Sequence, residues 1–232
     1  MSLLTSPFMI RVRAVTRRLG LNKLVGNWLA RRGYEDRFGK AFTAQIRPGD
    51  LVWDVGANVG LYTGIFAGLA KPGGTVVAFE PAAACVAQLR GKFAGDLSVR
   101  VMNVALGDAE GTITMEMESD PLASTHRVVA GANPGATTSV VEVKTASSVV
   151  ATHPELFPSV VKIDVEGHEG AVLDGMQSLL ADRRLRCVGI EVHFTLLGQR
   201  GEHDRPARMQ ERLESSGFTV SWTDPSHLLA TR

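Results

Sequence analysis

Residues 51–60, LVWDVGANVG, constrain this chain more than any other stretch. Leu51, Val52 and Trp53 form a short apolar run of the kind that is buried on both faces of a parallel sheet. Asp54 closes the run. Gly56, Asn58 and Gly60 then make a turn into a second apolar segment, LYTGIFAGLA. Glycines at a strand-to-helix turn allow a sharp bend and let a ligand approach the backbone closely. The stretch therefore reads as a cofactor loop on the first strand of an α/β sheet.

The charge of the loop selects among cofactors. A dinucleotide loop reads G-x-G-x-x-G and rests a pyrophosphate on the following helix. This loop reads D-x-G-x-N-x-G, and Asp54 would repel a pyrophosphate but attract a cation. S-adenosylmethionine carries a sulfonium and an ammonium. Glu80 ends the next apolar run, TVVAFE, where a carboxylate accepts both hydroxyls of a ribose. NAD uses an acid at the same place, so it is Asp54 and Glu80 together that favour the methyl donor. Ala57 completes the donor loop with Asp54, Gly56, Asn58 and Gly60, and Asn103 and Ala105 border the adenine at the end of the third strand.

The 232 residues suit one α/β domain with a short appendage. The division expected is a basic N-terminal helical segment over 1–45 and a cofactor domain over 46–232, with an insertion over about 107–145. Residues 1–40 hold nine Lys or Arg against two acids, and the remainder holds sixteen against twenty-two. The basic segment reads as a solvated helix over one sheet edge; weak contact with a membrane surface is the other option. No apolar run approaches the roughly 20 residues that cross a bilayer, and Cys85 and Cys187 show no metal spacing. Reduced thiols and a cytoplasmic location are the corresponding expectation.

Along the chain, helices are expected over 61–70, 82–93 and 169–181, with strands over 75–80, 98–106, 159–164 and 186–193. Asp204 starts a further helix, and 218–222 and 227–231 are the last strand pair. GTITMEME and TSVVEVKT alternate as strands with one wet face, and the loop between them reads as a substrate lid.

With these residues in place, the chain resembles the FkbM family of S-adenosylmethionine-dependent methyltransferases. DVGANVGLYT, FEP, NVALGD, KIDVEGHE and IEVH occur in order over residues 50–220. The resemblance implies a doubly wound, seven-stranded Rossmann-like methyltransferase sheet with a reversed C-terminal hairpin. It also implies O-methylation of a sugar, glycolipid or polyketide-like metabolite. Where such proteins often carry an Asp-Leu pair, this chain has Ser147, Ser148 and Val149.

Methyl transfer to a hydroxyl needs alignment, exclusion of water and removal of the acceptor proton. Asp164 ends the fourth strand and opens onto the ligand crevice of an α/β sheet. Glu191 and His193, two apart on the fifth strand, are expected on one face. Asp164, His168, Glu191 and His193 are thus the candidate catalytic cluster, and His126 and Glu166 the candidate substrate contacts. Lys162, on a buried strand, needs a carboxylate partner. A divalent cation at the same carboxylates is the alternative to a base and is not preferred, because no dedicated metal spacing is present. No nucleic-acid acceptor is expected, since aromatic and basic residues do not interleave. The competing functions are an NAD-type oxidoreductase and a non-catalytic cofactor-binding scaffold. The oligomeric state is not encoded legibly.

Overall fold

The computed structural model describes residues 34–117, 127–128 and 137–232. Residues 1–33 of the expected N-terminal helical segment, His126 and most of the insertion's loop lie outside them.

The first strand, β1 (Leu51–Val55), is buried between two parallel neighbours, β2 (Thr75–Phe79) and β8 (Val160–Ile163). Val52, Val76 and Val160 share one face of the sheet; Trp53, Val77 and Val161 share the other. Both faces are apolar because both are covered. Trp53 is fully buried against Phe79, ring centroids 4.7 Å apart, and its indole N–H donates to the Leu156 carbonyl at 2.8 Å.

Helices α1 (Tyr34–Thr43) and α2 (Leu61–Ala70) cover the Val52 face. Phe38 and Phe42 of α1 lie on β9 (Cys187–Glu191), where Gly189 leaves the space: a Cβ there would stand 2.5 Å from Phe42. The opposite face packs beneath α5 (Glu169–Asp174), α6 (Gln177–Ala181) and α8 (Arg205–Ser215).

The large sheet also contains β3 (Val99–Met102), β10 (Thr219–Asp224) and β11 (His227–Thr231). Its order is β10-β11-β9-β8-β1-β2-β3, with β11 antiparallel to both neighbours. The expected doubly wound, seven-stranded sheet with its reversed hairpin is therefore present. Successive crossovers leave β1 in opposite directions, so the carboxyl ends of β1, β2 and β8 frame a switch-point crevice.

Two expected elements differ in detail. The strand expected over 98–106 divides at Asn103. Beyond it, β4 (Ala105–Leu106) pairs with β7 (Thr137–Lys144) in a second sheet ordered β4-β7-β5-β6, with β5 spanning Gly111–Met117 and β6 Arg127–Val128. Asn103 makes the corner, its amide donating to the carbonyls of Glu80 and Pro81 at 3.0 and 2.9 Å.

The helix expected over 169–181 is two helices broken at Gly175. The Gly175 carbonyl accepts the backbone N–H and the hydroxyl of Ser147, which removes it from the helical ladder. A Cβ at Gly175 would stand 2.0 Å from the Gly107 carbonyl, so the chain leaving β4 closes on the break between the helices. The residues that replace the Asp-Leu pair form α4 (Ala146–Thr152), capped by Thr145, whose hydroxyl accepts from the Ser148 N–H at 3.0 Å. One further helix, α7 (Phe194–Gln199), follows β9 directly, and α3 (Ala83–Lys92) links β2 to β3.

Both cysteines are buried and unpaired with each other. Among the described residues, no helix is long and apolar enough to cross a membrane.

Candidate active site

The carboxyl ends of β1, β2 and β8 open into one cavity, roofed by the second sheet. Phe79, Val104, Leu106, Ile113, Met115 and Val143 supply its apolar wall. Gly56, Asn58, Glu80, Asp164, Glu166 and His168 supply its polar end. Ile113 and Met115 are two apart on β5, so the alternation GTITMEM is what turns both inward.

The loop after β1 is shaped by backbone conformation. Gly56 has φ +81°, and a Cβ there would stand 1.8 Å from the Asp164 carbonyl. Asn58 has φ +50°, a left-handed conformation that asparagine tolerates. Its N–H donates to Glu80 Oε2 at 2.8 Å, and the Ala82 N–H donates to Oε1 at 2.8 Å. Glu80 is thus fixed by two backbone donors, and each carboxylate oxygen keeps a lone pair. Burial raises its pKa, while the two N–H groups oppose the rise.

Asp54 is placed differently from the expectation. It is fully buried and does not line the cavity. Its Oδ2 accepts the Thr63 hydroxyl at 2.6 Å, and its Oδ1 lies 3.7 Å from Lys162 Nζ without a hydrogen bond. Burial raises the Asp54 pKa against the pull of Lys162. Lys162 donates to Asp164 Oδ2 at 3.1 Å and lies 4.7 Å from the Tyr62 ring centroid. Burial disfavours its charge, but Asp164 and Asp54 outweigh burial and hold its pKa above the ordinary value. Asp54 therefore lies behind the loop, between Thr63 and Lys162.

Ala57 and Gly60 also pack rather than line. Ala57 joins Ala78 and Leu89, and a Cβ at Gly60 would meet Leu89 at 2.6 Å and Phe93 at 2.7 Å. Asn103 spends its amide on the β2–β3 corner, while Ala105 does line the cavity.

The four candidate catalytic residues separate into two that meet and two that do not. His193 and Asp164 meet. His193 Nδ1 lies 2.7 Å from Glu169 Oε1, and Nε2 lies 3.4 Å from Glu166 Oε2 and 3.9 Å from Asp164 Oδ1. Glu169 has no exposed surface and accepts the Gly167 N–H at 2.7 Å. Burial disfavours the imidazolium, but Glu169, then Glu166 and Asp164, raise the His193 pKa to about 9. Burial pushes Glu166 up to about 7, with His193 pulling the other way. For Asp164 burial is outweighed by Lys162 and His193, so its pKa is lowered.

His168 and Glu191 have other partners. His168 lines the cavity, but its Nε2 is bound by Arg200 at 2.8 Å, and burial together with that guanidinium lowers its pKa. Arg200 also donates to the Gly167 carbonyl. Glu191 turns to His227, 3.4 Å away, its partner across the β9–β11 ladder. The two-residue alternation fails because β9 stops at Glu191 and His193 starts α7.

Sequence reasoning assigned no role to Glu169, Arg200 or the cavity residues Val104 and Asp108. Glu169 was visible only as the last letter of VEGHE. Among the described residues, no group of three or more His, Cys, Asp or Glu is disposed to hold a metal ion.

Known proteins are similar to this chain in sequence and in fold. The family description "Methyltransferase FkbM domain" matches residues 54–220. The 31-O-demethyl-FK506 methyltransferase FkbM of Streptomyces tacrolimicus is 33% identical over 222 residues, covering 83% of this chain and 82% of that protein. The hexuronic acid methyltransferase AglP of Haloferax volcanii is 28% identical over 193 residues, covering 81% and 75%. In fold, the chain is similar to methyltransferase FkbM from Methylobacillus flagellatus, with a TM-score of 0.53 at 14% identity. That match covers 79% of this chain and 44% of the other.

Proposed function

The chain belongs to the FkbM family of methyltransferases and is an S-adenosylmethionine-dependent enzyme; from that premise we propose that it methylates a hydroxyl of a small metabolite, with Glu166 as the base. The acceptor classes under this reading are a sugar, a glycolipid or a polyketide-like compound. The name of one relative places its methyl group on an oxygen, and the name of the other specifies a hexuronic acid.

The cavity suits the donor. Glu80 retains lone pairs for the ribose hydroxyls, Phe79, Val104 and Leu106 offer apolar surface to a base, and Gly56 and Asn58 bring backbone close. Asp164, kept ionised by Lys162, presents a carboxylate to the positive groups of the donor. The bound donor supplies a sulfonium methyl, whose C–S bond breaks with the electron pair left on sulfur.

The observation that carries the assignment is Glu166. It lines the cavity, its pKa is pushed up to about 7, and His193 sits 3.4 Å behind it. A base with a pKa near the working pH combines availability with proton affinity. Glu166 removes the acceptor proton as the O–C bond forms. His193, held by Glu169, stabilises the carboxylate form of Glu166 between turnovers. Glu166 has φ +50° and Gly167 φ +92°, so the turn after β8 is what aims this carboxylate into the cavity.

Glu166→Gln should lower kcat by roughly 10²–10⁴ while leaving the affinity for S-adenosylhomocysteine within about threefold. Full activity in that variant would remove Glu166 from the role. Loss of activity with EDTA and recovery with Mg²⁺ would replace the base with a cation.

A further inference from the structure

We infer that the chain docks on an anionic lipid surface through the outer face of α2 and the loop after α3. A helix that is apolar all round is ordinarily buried on every side. Helix α2, LYTGIFAGLA, carries no charged residue, and Thr63, Phe66, Ala67 and Ala70 form its buried face. Leu61, Ile65 and Leu69 stand on the other side at i, i+4 and i+8, yet they are 67%, 44% and 40% exposed. The stripe runs the length of the helix, about 15 Å.

The neighbouring elements extend this stripe rather than cover it. The end of α3 lies alongside: a Cβ at Gly64 would stand 3.6 Å from Phe93. Beyond it Leu97 is 98% exposed, and the adjacent Asp96 is tied at 3.2 Å to Lys71, which directly follows α2. Leu97 is thereby kept near the Leu69 end. Among the described residues, four of the seven exposed large apolar side chains thus gather here. Single apolar residues are ordinary on a surface, but a cluster marks a contact.

Charge selects the occupant. Lys71 follows one end of the stripe, and Lys92 stands at the other, donating to the Gly60 carbonyl at 2.7 Å. Both are exposed, as is Arg90 in the same last turn of α3 as Lys92. Asp96 is already engaged by Lys71 and by the Ser98 hydroxyl. A second copy of the chain, paired about a two-fold axis, would set these cations against their own kind. Four side chains also fall well short of the roughly 800 Å² that each partner buries in a stable protein interface. An anionic bilayer meets both features: the apolar side chains enter the boundary between headgroups and acyl chains, and the cations meet lipid phosphates. Lysine stems lie along apolar surface while their ammonium groups stay among the headgroups. This face is separate from the cavity lining, so the inference does not depend on which hydroxyl is methylated.

Sedimentation of the full chain with vesicles tests it. The protein should pellet with vesicles of phosphatidylcholine containing phosphatidylglycerol, and much less with phosphatidylcholine alone. Leu97→Gln, and Ile65→Gln combined with Leu69→Gln, should each lower partitioning into the anionic vesicles about tenfold. Tm and the affinity for S-adenosylhomocysteine should stay unchanged in both. Leu97 is almost wholly exposed, so the single variant keeps the test decisive if the double variant fails to fold. Absence of pelleting with the anionic vesicles overturns the inference. So does equal pelleting of the unaltered chain and Leu97→Gln, which would move the contact to the basic residues of 1–40. A dimer by light scattering that the double variant dissolves, without vesicle binding, would give the face to a second copy and overturn it as well.

Discussion

His193 Nδ1 stands 2.7 Å from Oε1 of Glu169, a carboxylate with no exposed surface, while the opposite ring nitrogen faces Glu166 and Asp164 of the cavity wall. The buried acid fixes the ring orientation and favours its protonated form. The imidazole is thereby a charged partner of the cavity carboxylates near neutral pH and a poor base in its own right.

The pH dependence of catalysis follows. Methyl transfer should rise as Glu166 loses its proton around pH 7 and fall as His193 loses its own around pH 9. The profile of kcat/KM should be a bell, with apparent values belonging to the coupled pair. Glu169→Gln should move the alkaline limb downward, because the largest support of the imidazolium is gone. An unchanged alkaline limb in that variant would separate His193 from the rate.

The two histidines should differ in mutagenesis. His193→Gln should cost at least tenfold in kcat, since Glu166 then loses its charged partner. His168→Gln should leave the alkaline limb in place and reduce rate less, because Arg200 rather than a carboxylate holds His168. Steady-state kinetics of both variants at pH 8 decides between them. Equal losses would place His168 in the proton path.

Stability should fall with rising pH over the same window. The His193 pKa is raised from 6.5 to about 9, so its contribution is fully present below 6.5 and lost as pH rises through 9. Glu166 is raised from 4.5 to about 7, so its protonated form also favours the fold; that contribution is full below 4.5 and lost as pH rises through 7. A tenfold change in proton affinity is worth about 1.4 kcal/mol, so each group contributes at most about 3 kcal/mol, and the coupled pair less than twice that. Thermal melts at pH 6 and pH 9.5 should show the higher Tm at pH 6, and His193→Gln should flatten the difference.

Glu80 and Asp54 should separate donor affinity from folding. Glu80→Gln should weaken S-adenosylhomocysteine binding at least tenfold, through loss of charge-assisted hydrogen bonds of about 1.5–3 kcal/mol. Asp54→Ala should lower Tm as well, because Lys162 would lose the fully buried one of its two carboxylate partners. Calorimetry and melting on both variants test this. An Asp54→Ala protein with native Tm and weakened binding would return Asp54 to direct contact with the donor.

Two glycines should answer oppositely to alanine. Gly56→Ala places a Cβ 1.8 Å from the Asp164 carbonyl at φ +81°, so donor binding and Tm should both fall. Gly68 lies within α2, exposed, with open space around a Cβ. Gly68→Ala should therefore stabilise by up to about 1 kcal/mol without changing activity. Denaturant titration of each variant reads the sign.

Much of the architecture was legible locally. Apolar runs over 51–55, 75–79 and 160–163 announce strands covered on both faces, and Gly56, Asn58 and Glu80 stand at strand ends, where crevices form. The ordered motifs named the family, and Asp164 and Glu166 follow β8 directly, so their place at the switch point could be read from chain position. These features depend on neighbouring residues and on the two-residue period of a strand, both of which are written in the chain.

What the chain order does not contain is which side chains meet across elements. Asp54 and Glu80 are both acids near the carboxyl ends of neighbouring strands, yet Asp54 lies within β1 opposite Ala78, buried against Thr63 and Lys162, while Glu80 follows β2 and is held at the cavity by the loop N–H groups. Glu191 and His193 are two apart, yet β9 ends between them, so one pairs with His227 and the other with Glu169. His168 and His193 carry the same group, yet burial and Arg200 lower one pKa while Glu169 raises the other. Residue type and local period determined the doubly wound α/β layout and the loop after β1; the partners brought in from distant segments, and the burial they impose, decided which carboxylates line the cavity and which are buried behind it.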